Sequence, residues 1–137
     1  MSNTIADVQS IIREAARVSV HAGGTKPGLQ SSEGGTHSVE MADLRGILDY
    51  QPEEYTFTAL AGSKLKEINA ALGEHGQYLP FDPPLARRGA TLGGTVAAGL
   101  SGPGRYHFGG VRDFILGVKF IDGRGQLVSG GGKVVKN

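Results

Sequence analysis

Residues 88–136, RGATLGGTVAAGLSGPGRYHFGGVRDFILGVKFIDGRGQLVSGGGKVVK, decide the reading of this chain, because their glycines stand at fixed places around a strand pair. Gly93 and Gly94 are two consecutive residues without Cβ, so successive backbone N–H groups can converge on an anion and a flat ring can approach the main chain. Thr91, Thr95 and Ser101 add hydroxyls. Val96, Ala97, Ala98 and Leu100 form an apolar run too short to be a core helix alone, stopped by Gly102-Pro103-Gly104, and a wall of small side chains is expected. Residues 114–122 alternate as a strand, with Phe114, Leu116, Val118 and Phe120 on one face. The DGRG at 122–125 then turns the chain back into residues 126–129, which predicts a hairpin.

A second glycine site lies far upstream. Residues 18–20 read as a strand that ends in HAGGTK at 21–26, and Pro27 with Gly28 prevents it from simply continuing. A tight phosphate loop fits this pattern, with Gly23 and Gly24 exposing N–H groups, Thr25 adding a hydroxyl and Lys26 bringing a positive charge near a pyrophosphate. Taken alone, so short a motif is more often an ordinary glycine turn between strands. The downstream LGGT reverses that balance. Two other nucleotide folds are excluded: the one Gly-Lys pair, Gly132-Lys133, is followed by Val134, so there is no P-loop. Gly102-Pro-Gly104 and Gly123-Arg-Gly125 both lack the third glycine of the Rossmann fingerprint.

The 137 residues suffice for one modest domain and its core. The 23 glycines exceed the usual share of roughly 7%, yet they punctuate apolar segments and mark turns and close approaches. Net charge is +1, from 14 basic and 13 acidic residues, so no basic field argues for nucleic acid or an anionic membrane surface. Without cysteine this chain cannot form a disulfide, bind an iron–sulfur cluster through thiolates or bond a flavin through sulfur. His37, His75 and His107 show no i, i+4 pairing, and no metal site is expected. The first twenty residues carry no signal-peptide pattern and no run approaching a membrane span, which makes a cytoplasmic protein the default.

Thr4 is an expected N-cap, with Asp7 three positions on and Ile5, Val8, Ile12, Ala15 and Ala16 at helical spacing. Residues 38–41 and 55–60 read as strands, and Ser63 is expected to cap a helix whose Leu65, Ile68 and Leu72 share a face and which ends at Gly73 or Gly76. The PFDPP at 80–84 predicts an extended, rigid path into ATLGG. The fold class is therefore α+β, with helices flanking two small sheets.

HAGGTK, PFDPP, ATLGGTVAAGLSGPGR, GGVRDFILGV and GGKVVKN, in this order and spacing, resemble the FAD-binding domain of the vanillyl-alcohol-oxidase type, also called the PCMH-type fold. The likeness runs from His21 to the last residue, and within the family it points to the smaller FAD-binding subunit of bacterial glycolate oxidase. The resemblance implies a single FAD-binding domain over 1–137 in two α+β lobes, about 1–80 and 81–137, incomplete at its C-terminal end. It implies oxidation of a small 2-hydroxy acid, glycolate to glyoxylate, with other subunits as partners: a second flavoprotein subunit and an iron–sulfur subunit, through which the protein reaches the membrane without inserting into it. Another FAD-linked 2-hydroxy-acid or alcohol dehydrogenase of the same fold, or a noncatalytic flavin-binding scaffold subunit, stays open.

The cofactor-binding residues it implies are Ala22, Gly23, Gly24, Thr25, Lys26, Pro27, Phe81, Asp82, Pro83, Thr91, Gly93, Gly94, Ala97, Ser101, Gly102 and Arg105. Several relatives attach flavin through a histidine in the phosphate loop; the corresponding position here is Pro27, which implies noncovalent FAD. His21 is either a strand-end side chain or a flavin-facing one, and Asp82, an ordinary turn residue by its neighbours, is tipped by the resemblance toward cofactor contact. Arg105 and Arg112 are candidates for pairing with Asp113 or Asp122 or for facing the flavin, with Arg112 assigned to the ion pair. The catalytic base and the cationic clamp for a substrate carboxylate are expected outside this chain.

Overall fold

The computed structural model describes residues 3–30 and 37–133. The end of the GGKVVKN motif, from Val134 on, lies outside them. Helix α1 (Ile5–Glu14) opens on the expected capping box: the Asp7 N–H donates to Thr4 Oγ1 at 3.2 Å, and the Thr4 N–H and hydroxyl both donate to Asp7 Oδ2 at 2.7 Å. Those donations hold the Asp7 carboxyl below its ordinary range. Strand β1 (Val18–His21) follows and pairs in parallel with β2 (His37–Glu40), Val18 facing His37 and His21 facing Glu40. Val8 and Val39 are buried.

Strands β3 (Ile47–Gln51) and β4 (Thr56–Ala59) form an antiparallel pair with a register shift between Ile47 and Asp49. Strand β3 was not expected from the sequence. Pro52 interrupts the run, and Tyr55 turns it back at φ 56°. Helix α2 (Leu65–Gly73) buries Leu65, Ile68 and Leu72, the face its spacing predicts. Ser63 does not cap it. The Ser63 hydroxyl instead accepts from the Gly46 N–H at 2.8 Å and donates to the Gly46 carbonyl at 3.2 Å, while the Leu65 N–H donates to the Ala90 carbonyl.

The PFDPP segment is not extended. Asp82 and Leu85 both sit in the left-handed region, at φ 53° and 64°, so the chain turns twice around Pro83-Pro84. Helix α3 (Leu92–Ala98) then forms where a short apolar run was expected, because Thr91 caps it and Gly99, at φ 64°, closes it. Gly99 thus ends the helix, three residues before Gly102-Pro103-Gly104. A short helix α4 (Arg105–Phe108) and a 3-10 turn (Val111–Phe114) lead into the hairpin β5 (Gly117–Ile121) and β6 (Leu127–Gly131), whose register runs from Gly117–Gly131 to Ile121–Leu127.

The hairpin turn is built as its DGRG predicts: the Gly125 N–H donates to the Asp122 carbonyl, and Asp122 Oδ1 accepts from the N–H groups of Arg124 and Gln126. Helix α1 docks on it, since Gln9 Nε2 and Arg13 Nη2 both donate to the Gly125 carbonyl, at 2.9 and 3.0 Å. The alternating face of β5 is open: Leu116, Val118 and Phe120 are all exposed. Strand β5 starts three residues later than the alternation suggested, because the 3-10 turn takes up Phe114. The core joins Leu65, Ile68, Leu72, Leu79, Phe81, Ala90 and Val111, and the architecture is α+β, with three two-stranded sheets among the described residues where two small sheets were expected.

Candidate functional site

The two glycine sites differ in what their N–H groups do. In the upstream loop, no acceptor among the described residues takes up the backbone N–H groups of Ala22, Gly23, Gly24, Thr25 and Lys26. Gly24 sits at φ 61°, and a Cβ there would meet nothing within 4 Å. Lys26 Nζ lies 3.3 Å from Thr25 Oγ1, which places its ammonium beside the loop, and Pro27 opens an exposed 3-10 turn (Pro27–Leu29). A run of uncommitted N–H groups next to an ammonium is the donor set an anionic diphosphate needs.

The downstream LGGT is different. The Leu92 N–H donates to the Ser63 carbonyl, Gly93 to Ala61, Gly94 to Thr91 Oγ1 and Thr95 to the Thr91 carbonyl. The expected convergence of these N–H groups on an anion is therefore corrected: those of Leu92 and Gly93 close the α3 N-terminus onto residues 61–63, and those of Gly94 and Thr95 are taken by Thr91. Gly93 is a packing glycine, since a Cβ there would stand 2.7 Å from Ala61 Cβ. Gly94 has an open side, its virtual Cβ meeting Thr91 Oγ1 at 3.0 Å and nothing else within 4 Å. Thr91 and Thr95 are buried, and the Thr95 hydroxyl donates to the Thr91 carbonyl at 2.8 Å.

The two sites meet through a backbone contact. A Cβ on Gly23 would lie 2.3 Å from the Gly89 carbonyl oxygen, so the upstream loop rests directly on the segment that leads into α3. A second close approach seats the GPG turn on PFDPP: the Gly102 N–H donates to the Asp82 carbonyl at 2.6 Å, the Gly104 N–H to Asp82 Oδ2 at 3.3 Å, and a Cβ on Gly102 would lie 2.3 Å from that oxygen. Phe81 is buried, its ring 5.8 Å from that of Phe114, while Pro83 is half-buried. His21 is held at the strand end by Ser19 Oγ at 3.0 Å and Gln30 Nε2 at 3.2 Å.

Beyond α3 a cleft of about 530 Å³ is lined by Val96, Gly99, Arg105, Gly110, Val111, Arg112, Asp113 and Ile115. Ala97 is exposed, and Ser101 Oγ is buried without a hydrogen-bond partner among the described residues. The ion pair expected of Arg112 is not formed: among the described residues neither Arg105 nor Arg112 pairs with a carboxylate. Asp113 and Asp122 instead accept from backbone N–H groups, as tight turns require. Among the described residues no three His, Cys, Asp or Glu side chains cluster as metal ligands.

A family described as "FAD binding domain" matches residues 2–131. The chain belongs to this family. It is 50% identical over 100 residues to the glycolate oxidase subunit GlcE of Escherichia coli (strain K12), covering 73% of this chain and 29% of that protein. It is 28% identical, over 100% of its own length and 30% of the relative's, to a D-2-hydroxyglutarate dehydrogenase of Xanthomonas citri pv. viticola. Among solved structures, Phl p 4, a grass pollen allergen with glucose dehydrogenase activity, superposes with a TM-score of 0.77 at 23% identity, over 93% of this chain and 27% of that one. That likeness is one of fold. The chain spans less than a third of the length of these relatives.

The donor set of this FAD-binding domain suits its cofactor. The open N–H array at 22–26 matches a diphosphate, the open side of Gly94 permits close approach, and the buried Ser101 hydroxyl has hydrogen-bonding capacity left over. What the sequence did not signal was the segment Ala61-Gly62-Ser63. Buried Gly62 lies against the carbonyls of Met41 and Leu44, and Ala61 and Ser63 take the α3 N–H groups, so this tripeptide fixes where LGGT sits. An Ala-Gly-Ser run just before an amphipathic helix was its one visible trace.

Proposed function

We propose that this FAD-binding domain is part of a flavin-dependent 2-hydroxy-acid oxidoreductase, a glycolate oxidase subunit that takes part in converting glycolate to glyoxylate. The observation that carries this reading is the 50% identity to GlcE over 100 residues. Residues 22–26 receive the diphosphate on their open N–H groups, with Lys26 supplying charge and Pro27 shaping the loop's exit. Gly94 and Ala97 form the wall along the middle of the cofactor, set in place by the Thr91 cap and the packing of Gly93 on Ala61; Phe81, Asp82 and Pro83 shape its edge, and Ser101, Gly102 and Arg105 complete it. FAD supplies the capacity to accept a hydride from the hydroxyl-bearing carbon. This chain's residues bind and orient it, and the substrate's base and carboxylate clamp belong to the rest of the protein.

FAD is held noncovalently, since Pro27 offers no nucleophile and the chain has no cysteine. The partners are the other glycolate oxidase subunits, a second flavoprotein and an iron–sulfur subunit, which bring it to the membrane; among the described residues no helix is long and apolar enough to cross one. A second reading, a dehydrogenase of another 2-hydroxy acid, draws support from the D-2-hydroxyglutarate dehydrogenase match over the whole chain. Titration of FAD into the chain, followed by flavin fluorescence quenching, tests the cofactor assignment. In the assembled enzyme, bleaching of the flavin absorbance by glycolate but not by D-2-hydroxyglutarate supports the first reading, the reverse supports the second, and no bleaching by either rejects both.

A further inference from the structure

The N–H array at 22–26 lies within a longer excursion whose two ends are tied. At the entry, the Met41 N–H donates to the His21 carbonyl at 2.7 Å, which fixes His21 to the end of β2. At the exit, the Leu29 and Gln30 N–H groups donate to the Lys26 and Pro27 carbonyls, both at 3.1 Å, and close the 3-10 turn. The Gln30 side chain then folds back across the neck: its Nε2 lies 3.4 Å from the Val20 carbonyl oxygen and 3.2 Å from His21 Nδ1. Ser19, on the same face of β1 as His21, sets its Oγ 3.0 Å from the other ring nitrogen, Nε2.

These distances fix the protons. A backbone carbonyl only accepts, so the amide end beside Val20 is the NH2 group. The same NH2 group meets His21 Nδ1, which is therefore the acceptor of the ring, and the ring proton sits on Nε2 and is donated to Ser19 Oγ. We propose that Gln30 is a positioning residue: its side-chain amide, seated on His21, clasps the neck of the loop and holds the N–H groups of residues 22–26 in their open array before any ligand arrives. Those groups have no acceptor among the described residues, so they are not aligned by bonds of their own. An array ordered in advance loses less freedom on binding and so holds its ligand more tightly. That the ligand is the diphosphate of FAD rests on the function proposed above, whereas the clasp itself does not.

The whole chain is used without ligand first, at about pH 8, above the ordinary titration of imidazole. Imidazole 15N shifts read the His21 tautomer, and amide order parameters of Gly23, Gly24 and Thr25 read the loop. The expected result is a ring proton on Nε2 and wild-type amides near the rigid value of about 0.85, falling in Gln30→Met toward the value of about 0.6 that marks flexible backbone. Fluorescence titration should then show FAD bound about three- to tenfold more weakly by Gln30→Met, the worth of one or two neutral hydrogen bonds. The apo melt should stay close to wild type, because Gln30 is exposed. In a His21→Phe background Gln30→Met should change FAD affinity far less, since the seat of the amide is gone. A ring proton on Nδ1, or loop amides equally ordered in wild type and Gln30→Met, overturns the proposal, as does FAD bound equally by both. Flexible loop amides in the wild type overturn it as well, so it can fail even where the variant does not fold. A wild-type chain with the expected tautomer and a loop ordered by Gln30 that binds no FAD counts against the proposed function alone.

Discussion

Replacing Gly23 by alanine tests whether the upstream loop owes its position to Gly89. The added Cβ would lie 2.3 Å from the Gly89 oxygen and 3.2 Å from its carbon, both backbone atoms that cannot rotate away. Restoring ordinary contact requires the loop or residues 88–90 to retreat by about 1 Å. Overpacking of this kind costs about 1–3 kcal/mol. At about 4 °C per kcal/mol for a domain of this size, the midpoint should fall by roughly 4–12 °C. The displaced N–H array should also hold FAD at least about tenfold more weakly, the equivalent of one charge-assisted hydrogen bond.

Gly24→Ala is the paired control. Its Cβ meets nothing within 4 Å, but φ 61° makes alanine pay the left-handed strain of about 1–2 kcal/mol while the N–H directions stay put. Thermal melts with and without FAD, together with fluorescence titration, separate the two variants. A Gly23→Ala protein that melts with wild type and binds FAD equally would refute the reasoning.

Gly93→Ala should destabilise by about 1–3 kcal/mol through its collision with Ala61, whereas Gly94→Leu should leave the apo melt nearly unchanged and abolish stabilisation by FAD; a FAD-stabilised Gly94→Leu would remove that glycine from the site. Thr4→Ala should cost about 1 kcal/mol in chemical denaturation, the usual worth of a lost N-cap. Because the folded Asp7 carboxyl sits below its unfolded value of 3.8, its contribution is present above that pH and fades as pH falls through the folded value, so wild type and Asp7→Asn should converge in acid; a constant difference would contradict this. Flavin bound by the chain should stay in solution after acid precipitation of the polypeptide, and colour in the pellet would show a covalent bond.

The parts of the fold that were legible are those specified locally. Thr4 with Asp7, the Leu65, Ile68 and Leu72 spacing, and the DGRG turn each fix a neighbour three or four positions away. Ser63 misled because its hydroxyl had a more distant partner in Gly46. Strand β3 escaped notice because Asp49 and Pro52 break its pattern and pairing with β4 supplies its order. Helix α3 carries two poor helix formers, Gly93 and Gly94, in its first turn and exists because Ala61 and Ser63 hold that turn, a case of tertiary contacts overriding propensity. The glycines of the site were visible in the sequence, but not the division of labour among them. Whether a glycine faces a ligand or another backbone depends on partners such as Gly89 and Asp82, far away along the chain.

The open face of the β5–β6 hairpin bears on how the isolated domain behaves at the bench. Leu116, Val118 and Phe120 present an apolar strip on a ribbon that, among the described residues, pairs with no third strand, and a net charge of +1 supplies little repulsion between copies. Unpaired strand edges and apolar strips favour self-association, the more so near electrical neutrality. Colloidal behaviour at high concentration will therefore be governed by this ribbon, and a lysine at Val118 is the substitution that should make the domain easiest to keep dispersed.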